Sequence, residues 1–200
     1  MKIFIVGICG VTNGGKTTLA NKLLKVLPNC SIISQDDYFK PEEEVATDER
    51  GFKQYDELEA LEMEKMMSAV HSWISQHNKS ASPEDKLNMV EERCDNTVHF
   101  LVIEGFLLYQ YEPLYKVFDR RYFLTVPFEE CKRRRSSRVY QPPDPPGYFD
   151  GYVWPMYIKN KKEMDKVQRD IVFIDGTKPQ EEILDFVYND ITRAAQQHTS

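Results

Sequence analysis

Residues 10–17 read Gly10-Val11-Thr12-Asn13-Gly14-Gly15-Lys16-Thr17, a fit to G-x-x-x-x-G-K-[ST]. At average residue frequencies such an octet arises by chance in roughly one chain in a hundred of this length. Its setting gives it weight. Before it lies Lys2 to Cys9, KIFIVGIC, a nearly unbroken apolar run of the kind that fills a strand buried on both faces. After it, Thr17 to Leu27 has the pattern of a helix that stops before Pro28. Strand, glycine-rich turn and helix, in that order, build a phosphate cradle. Glycines let the backbone curl so that successive N–H groups point inward, and the helix N-terminus adds partial positive charge. In such a loop Lys16 reaches the terminal phosphates of a nucleotide and the Thr17 hydroxyl is a ligand of Mg²⁺.

Outward from that loop, strands alternate with helices. Cys30–Ser34, Val98–Ile103 (ending on Glu104), Arg121–Val126 and Ile171–Asp175 are strand-length apolar runs. The Asp56–Ile74 segment sets Met63, Met66, Met67, Val70, Trp73 and Ile74 at helical spacing, a face for core packing. Pro127, Glu129 and Glu130 open a further helix. Thr177 with Gln180 reads as a capping box for a last helix carrying Ile183, Leu184, Val187 and Ile191. The pattern predicts an α/β fold: one domain over residues 1–200, a parallel sheet with helices on both faces. Ser75–Asn96 is polar, holds Pro83 and many charges, and is expected to be a solvated, mobile insertion at about residues 75–97.

Composition removes several classes. A chain of 200 residues that is 41% hydrophobic and 29% charged has the makings of a packed core and is not a disordered one. With 26 basic against 32 acidic residues the net charge is -6, which disfavours a nucleic-acid partner. No apolar run is long enough to span a membrane, and Ile3–Cys9 is too short for a signal sequence. Cys9, Cys30, Cys94 and Cys131 show no C-x-x-C spacing and read as reduced thiols of a cytoplasmic protein, with nuclear entry left open. His71, His77, His99 and His198 have no metal-ligand spacing.

The remaining chemistry belongs to phosphoryl transfer. A GTPase should carry N-K-x-D; the nearest string, Asn160-Lys161-Lys162-Glu163, ends in Glu and sits in a predicted helix. The D-x-x-G matches at Asp48–Gly51 and Asp144–Gly147 do not follow strands. A small-molecule kinase remains. Asp36 and Asp37 lie just past the second strand, at the sheet edge that faces the phosphate loop, where a carboxylate can take the proton of an attacking hydroxyl. Glu104, ending the third strand, is placed for a metal shell. Arg133, Arg134, Arg135 and Arg138 cover too much of a helix to point one way. Arg133 is assigned to solvent, and others to the crevice, where guanidinium groups neutralise charge on a transferred phosphoryl group. Gln141–Gly147, rich in proline, reads as a stiff loop of a lid at about residues 131–150.

The chain resembles the nicotinamide riboside kinases, within the uridine kinase-like group of P-loop kinases. The likeness runs over nearly its whole length and is carried by Gly10–Thr18, Pro28–Cys30, Gln35–Asp37, Phe39–Pro41, Gln54–Asp56, Ile103–Leu108, Glu130–Arg135, Arg138–Asp144 and Trp154–Tyr157. The resemblance implies ATP-dependent phosphorylation of the ribose 5′-hydroxyl of nicotinamide riboside, and of nicotinic acid riboside, in NAD salvage. It implies that Asp36 is the base and that Thr17 and Asp36 lie at Mg²⁺. Lys16 and Glu104 complete the catalytic set. Gly10, Val11, Thr12, Asn13, Gly14, Gly15, Lys16, Thr17 and Thr18 would bind ATP with Arg134, Arg138, Val139, Tyr140 and Lys178. The nucleoside would meet Asp36, Asp37, Tyr38, Phe39, Tyr55, Asp56, Arg135, Tyr140 and Gln141, with Tyr55 and Tyr140 flanking the base and Asp56 and Arg135 holding the ribose. A five-stranded parallel sheet with the phosphate-loop strand central is implied too. A cationic pyridinium ring suits aromatic walls, since cation–π attraction is worth about 0.5–2 kcal/mol per face. The residues alone leave two alternatives open: a kinase of uridine, cytidine or pantothenate, and a nucleotide-binding protein without turnover.

Overall fold

The computed structural model of the chain describes residues 2–78, 98–140, 143–167 and 170–197. Five strands, β1 (Lys2–Gly10), β2 (Cys30–Ser34), β3 (Val98–Glu104), β4 (Arg120–Thr125) and β5 (Ile171–Asp175), form one sheet in the order β2-β3-β1-β4-β5. Every pairing is parallel. The phosphate-loop strand is thus central, as expected, and all strands deliver their C-terminal ends to one rim. The helices are α1 (Lys16–Val26), α2 (Met63–His77), α3 (Glu112–Tyr115), α4 (Phe128–Ser136), α5 (Trp154–Val167) and α6 (Gln180–Gln197).

Alternation along β1 explains the two layers. Phe4, Val6 and Ile8 point to one face, where Leu19 and Leu23 of α1 and Val187 and Ile191 of α6 cover them. Ile5 and Cys9 point to the other, against Met66, Met67 and Val70 of α2 with Leu107, Leu114 and Phe118. The methionine stripe is therefore core. Leu23 is fully buried, and Leu23→Ala is expected to cost about 2–5 kcal/mol.

Three expectations are corrected. α2 starts at Met63, not near Asp56, because the preceding residues hydrogen-bond elsewhere. The Glu62 N–H donates to the Tyr38 carbonyl (2.8 Å), the Lys40 N–H to that of Ala60 (2.9 Å), and Leu61 bridges Phe39. Ser75–His77 belong to α2, so the polar insertion begins later; residues 79–97 lie outside the described residues. Thr177 makes no capping box: its hydroxyl and N–H both bond Asp175 Oδ1, at 2.6 and 2.9 Å, and α6 begins at Gln180. The Asn160–Glu163 string lies within α5, and Asp48–Gly51 is a turn.

At the rim of strand N-termini, the His77 and His99 rings lie 5.0 Å apart. Among the described residues no helix is long and apolar enough to cross a membrane.

Candidate active site

Above the C-terminal rim lies a cleft of about 1100 Å³. Gly10 makes its floor possible: with φ 143°, it runs so close to β4 that a Cβ would stand 2.3 Å from the Leu124 carbonyl oxygen. The chain then curls, the Gly14 N–H bonding the Val11 carbonyl (3.1 Å), and enters α1. Thr12 to Thr18 line the cleft. Gly10 and Val11 lie behind it, on a separate cavity of about 20 Å³. Lys16 Nζ donates to the Val11 carbonyl at 2.9 Å, which holds the ammonium against the loop.

Glu104 is 2% exposed and ends β3 beside both hydroxyls that flank it. Ser34 Oγ donates to its Oε1 at 2.6 Å and Thr17 Oγ1 at 3.1 Å. Since a carboxylate only accepts, both hydroxyl protons turn toward Glu104, and the Thr17 oxygen keeps its lone pairs for a cation. Asp36 is exposed and lines the cleft. Thr17 and Asp36 line the cleft and Glu104 accepts from Thr17 beneath it, oxygen groups whose chemistry fits Mg²⁺ sharing its shell with phosphates and water. Gln35, fully buried, accepts from the N–H groups of Phe106 (3.0 Å) and Leu107 (2.9 Å) and so fixes the turn after β3.

An aromatic wall lines the same cleft as the loop. Phe39 meets Tyr55 edge-on, centroids 5.5 Å apart, and stacks on Phe106 at 5.7 Å. Asp56 follows Tyr55 and lines the same cleft. Burial pushes its carboxyl up to about 7, against the opposing pull of Arg135 and Lys16.

The lid returns to the phosphate loop at Asn13 and Thr12. Arg138 Nη1 and Tyr140 Oη donate to Asn13 Oδ1 (3.0 and 3.2 Å), and Arg134 Nη1 donates to its carbonyl (3.4 Å). Arg134 also reaches the Gly176 carbonyl at 3.0 Å. Arg135 donates to Thr12 Oγ1 (3.1 Å) and lies 4.4 Å over the Tyr140 ring. Arg133, with 69% of its side chain exposed, pairs with Glu130, as expected of the solvent-facing member. Two arginines on Glu130 hold its carboxyl at about 2.

The cleft thus gathers Asp36, Phe39, Tyr55, Asp56, Arg134, Arg135, Arg138, Tyr140 and Lys178 with the phosphate loop. It does not gather every residue named from sequence. Tyr38 packs beside the α2 core, Asp37 and Val139 face solvent off the cleft, and Glu104 lies beneath it. Gln141 lies outside the described residues. Sequence reasoning missed Ser34, Asp144 and Phe106. Ser34 alone left a signal, as the last residue of a strand entering the cleft.

Comparison with known proteins adds an independent observation. The family model described as an AAA domain matches residues 6–155. The chain is 59% identical to nicotinamide riboside kinase 1 of Rattus norvegicus over 191 residues, 96% of this chain and 95% of that one. It is 53% identical to nicotinamide riboside kinase 2 of Mus musculus over 187 residues, 94% of each chain. Among solved structures it resembles thymidylate kinase from Candida albicans with a TM-score of 0.56 at 15% identity, over 97% of this chain and 94% of that one, a likeness of fold.

Proposed function

The chain belongs to the nicotinamide riboside kinase family, and from that premise we propose that it transfers the γ-phosphoryl group of ATP to the ribose 5′-hydroxyl of nicotinamide riboside, a step of NAD salvage. The observation that carries the reading is that one cleft joins the phosphate loop to the Tyr55–Asp56 pair. A nucleoside lying between them presents its 5′-oxygen to the loop and its base to the aromatic wall.

Asp36 takes the proton of the 5′-hydroxyl as the new oxygen–phosphorus bond forms and the bond to the β,γ-bridging oxygen breaks. Lys16 and the loop N–H groups hold the phosphates. Arg134 and Arg138 offset charge on the transferred group. Mg²⁺, when bound at Thr17 and Asp36 above Glu104, supplies further charge neutralisation. Asp56 and Arg135 hold the ribose hydroxyls, and Tyr55 and Tyr140 offer ring faces to the pyridinium. The same reading takes residues 1–200 as one kinase domain with its lid at about 131–150, acting on small molecules in the cytosol. The free thiols of Cys9, Cys30 and Cys131 are consistent with that compartment.

A panel of nicotinamide riboside, nicotinic acid riboside, uridine and cytidine, each with ATP and Mg²⁺, tests the proposal by ADP release. Turnover is expected to be fastest with the pyridine nucleosides. No ADP release with any of them would overturn it.

A further inference from the structure

Asp56 ends an arm of chain, residues 48–56, and its backbone N–H and carbonyl are both held by a single other stretch. The Asp56 N–H donates to Tyr152 Oη at 3.0 Å, and Asn160 Nδ2 donates to the Asp56 carbonyl at 3.0 Å. Tyr152 lies in one π-helical turn, Phe149–Val153, that opens directly into α5, and Asn160 lies further along that helix. Such wide turns are rare and recur at functional positions.

The same turn holds the rest of the arm. Tyr148 Oη donates to the Lys53 carbonyl at 2.6 Å, and Arg50 Nη1 donates to the Gly151 carbonyl at 2.9 Å. Position 151 has no side chain; a Cβ there would come within 3.2 Å of the Phe52 ring. The Tyr148 and Tyr152 rings stack with centroids 5.2 Å apart, and Tyr152 is 2% exposed. Its ring therefore belongs to the packing of the lid base, while its hydroxyl has a separate partner, the residue-56 peptide.

We infer that Tyr152 and Asn160 are positioning residues for the nucleoside: held at both its backbone N–H and its carbonyl, Asp56 keeps its carboxylate aimed at the ribose. Neither side chain lines the main cleft, so each acts through Asp56 and touches no substrate. A carboxylate that must meet two hydroxyls at once is sensitive to small rotations of its own backbone, and misplacement by an ångström is enough to erode binding and rate. The inference rests on the reading that Asp56 holds the ribose.

The experiment measures kcat and KM for nicotinamide riboside and for ATP in Tyr152→Phe, Asn160→Ala and Asp56→Ala, and in both doubles with Asp56→Ala. Each positioning variant is expected to raise the nucleoside KM about 5–20-fold, the effect of losing one or two hydrogen bonds, with the ATP KM nearly unchanged. In the Asp56→Ala background the same changes should add less than about twofold, because coupled residues are not additive. A full, additive effect in that background would show general loosening and overturn the inference. So would a raised KM in Asp56→Ala with unchanged values in Tyr152→Phe and Asn160→Ala. An unchanged KM in Asp56→Ala would overturn the ribose reading itself, and this inference with it. If Tyr152→Phe loses its fold, Asn160→Ala carries the comparison alone.

Discussion

Arg135 grips Asp144 with two parallel hydrogen bonds, Nε to Oδ2 at 2.6 Å and Nη2 to Oδ1 at 2.9 Å. The pair joins α4 to the proline-flanked return of the lid, and only 12% of the arginine side chain is exposed. With the same guanidinium over Tyr140 and bonded to Thr12, the lid is held in one geometry relative to the phosphate loop. Asp144→Ala leaves Arg135 its charge but not its orientation. It is expected to lower kcat/KM for nicotinamide riboside by about 10–100-fold, from one lost charge-assisted pair. Steady-state kinetics with both substrates checks this.

Tyr140 has two jobs that one substitution separates. Its hydroxyl bonds Asn13, while its ring, with Arg135 at 4.4 Å and Arg138 at 5.8 Å from the centroid, lines the cleft where a base would lie. Tyr140→Phe is expected to lower kcat/KM about 3–10-fold for every nucleoside alike, through loss of the Asn13 bond. Tyr140→Ala should penalise nicotinamide riboside a further tenfold or so relative to uridine, the worth of a cation–π contact with a charged ring. Parallel assays of the two nucleosides decide it; equal losses would mean that the ring shapes the cleft without reading charge.

The two neighbouring aspartates should differ. Asp36 lines the cleft and Asp37 does not. Asp36→Asn is expected to lower kcat about 10²–10⁴-fold with a smaller change in nucleoside KM. Asp37→Asn should stay within a few-fold of the parent. Single-turnover rates at saturating ATP test the order, and the reverse order would reassign the base.

Asp56 ties activity and stability to pH in opposite directions. Burial raises its carboxyl from 3.8 to about 7, so between those values the folded chain holds a proton that the unfolded chain has released. Its contribution to stability therefore falls as pH rises from about 4 through 7. Asp56→Asn is expected to be more stable than the parent at pH 8, by about 1–3 kcal/mol, and not at pH 4. The ionised form is the one that accepts from ribose hydroxyls, so the nucleoside KM should drop as pH rises through 7. That slope should vanish in Asp56→Asn. Thermal melts and KM values at pH 5, 6, 7 and 8 measure both.

The phosphate loop and sheet were legible because their signals are local. A β-branched run, a glycine turn and a helix start lie within a few residues of one another, and each must take that form for the chemistry. Asp36 and Glu104 were legible as residues at strand ends. Other features depend on distant partners. Asn13 looked like one more loop residue, yet it receives the lid from residues more than a hundred positions away. Asp144 looked like a turn former among prolines, and its pairing with Arg135 needs the lid folded back. The start of α2 was misplaced because residues 60–62 bond to 38–40, a competition invisible to helical periodicity. Thr177 was misread because its hydroxyl had a nearer acceptor in Asp175.

The contact between His77 and His99, at the rim away from the cleft, has a consequence for how this protein can vary. These residues bracket the stretch joining α2 to β3, and their ring contact brings its two ends together. All strands send their chemistry to the opposite rim. A tag or second module grafted between the two histidines would enter at this rim, with the phosphate loop, the aromatic wall and the lid at the opposite one.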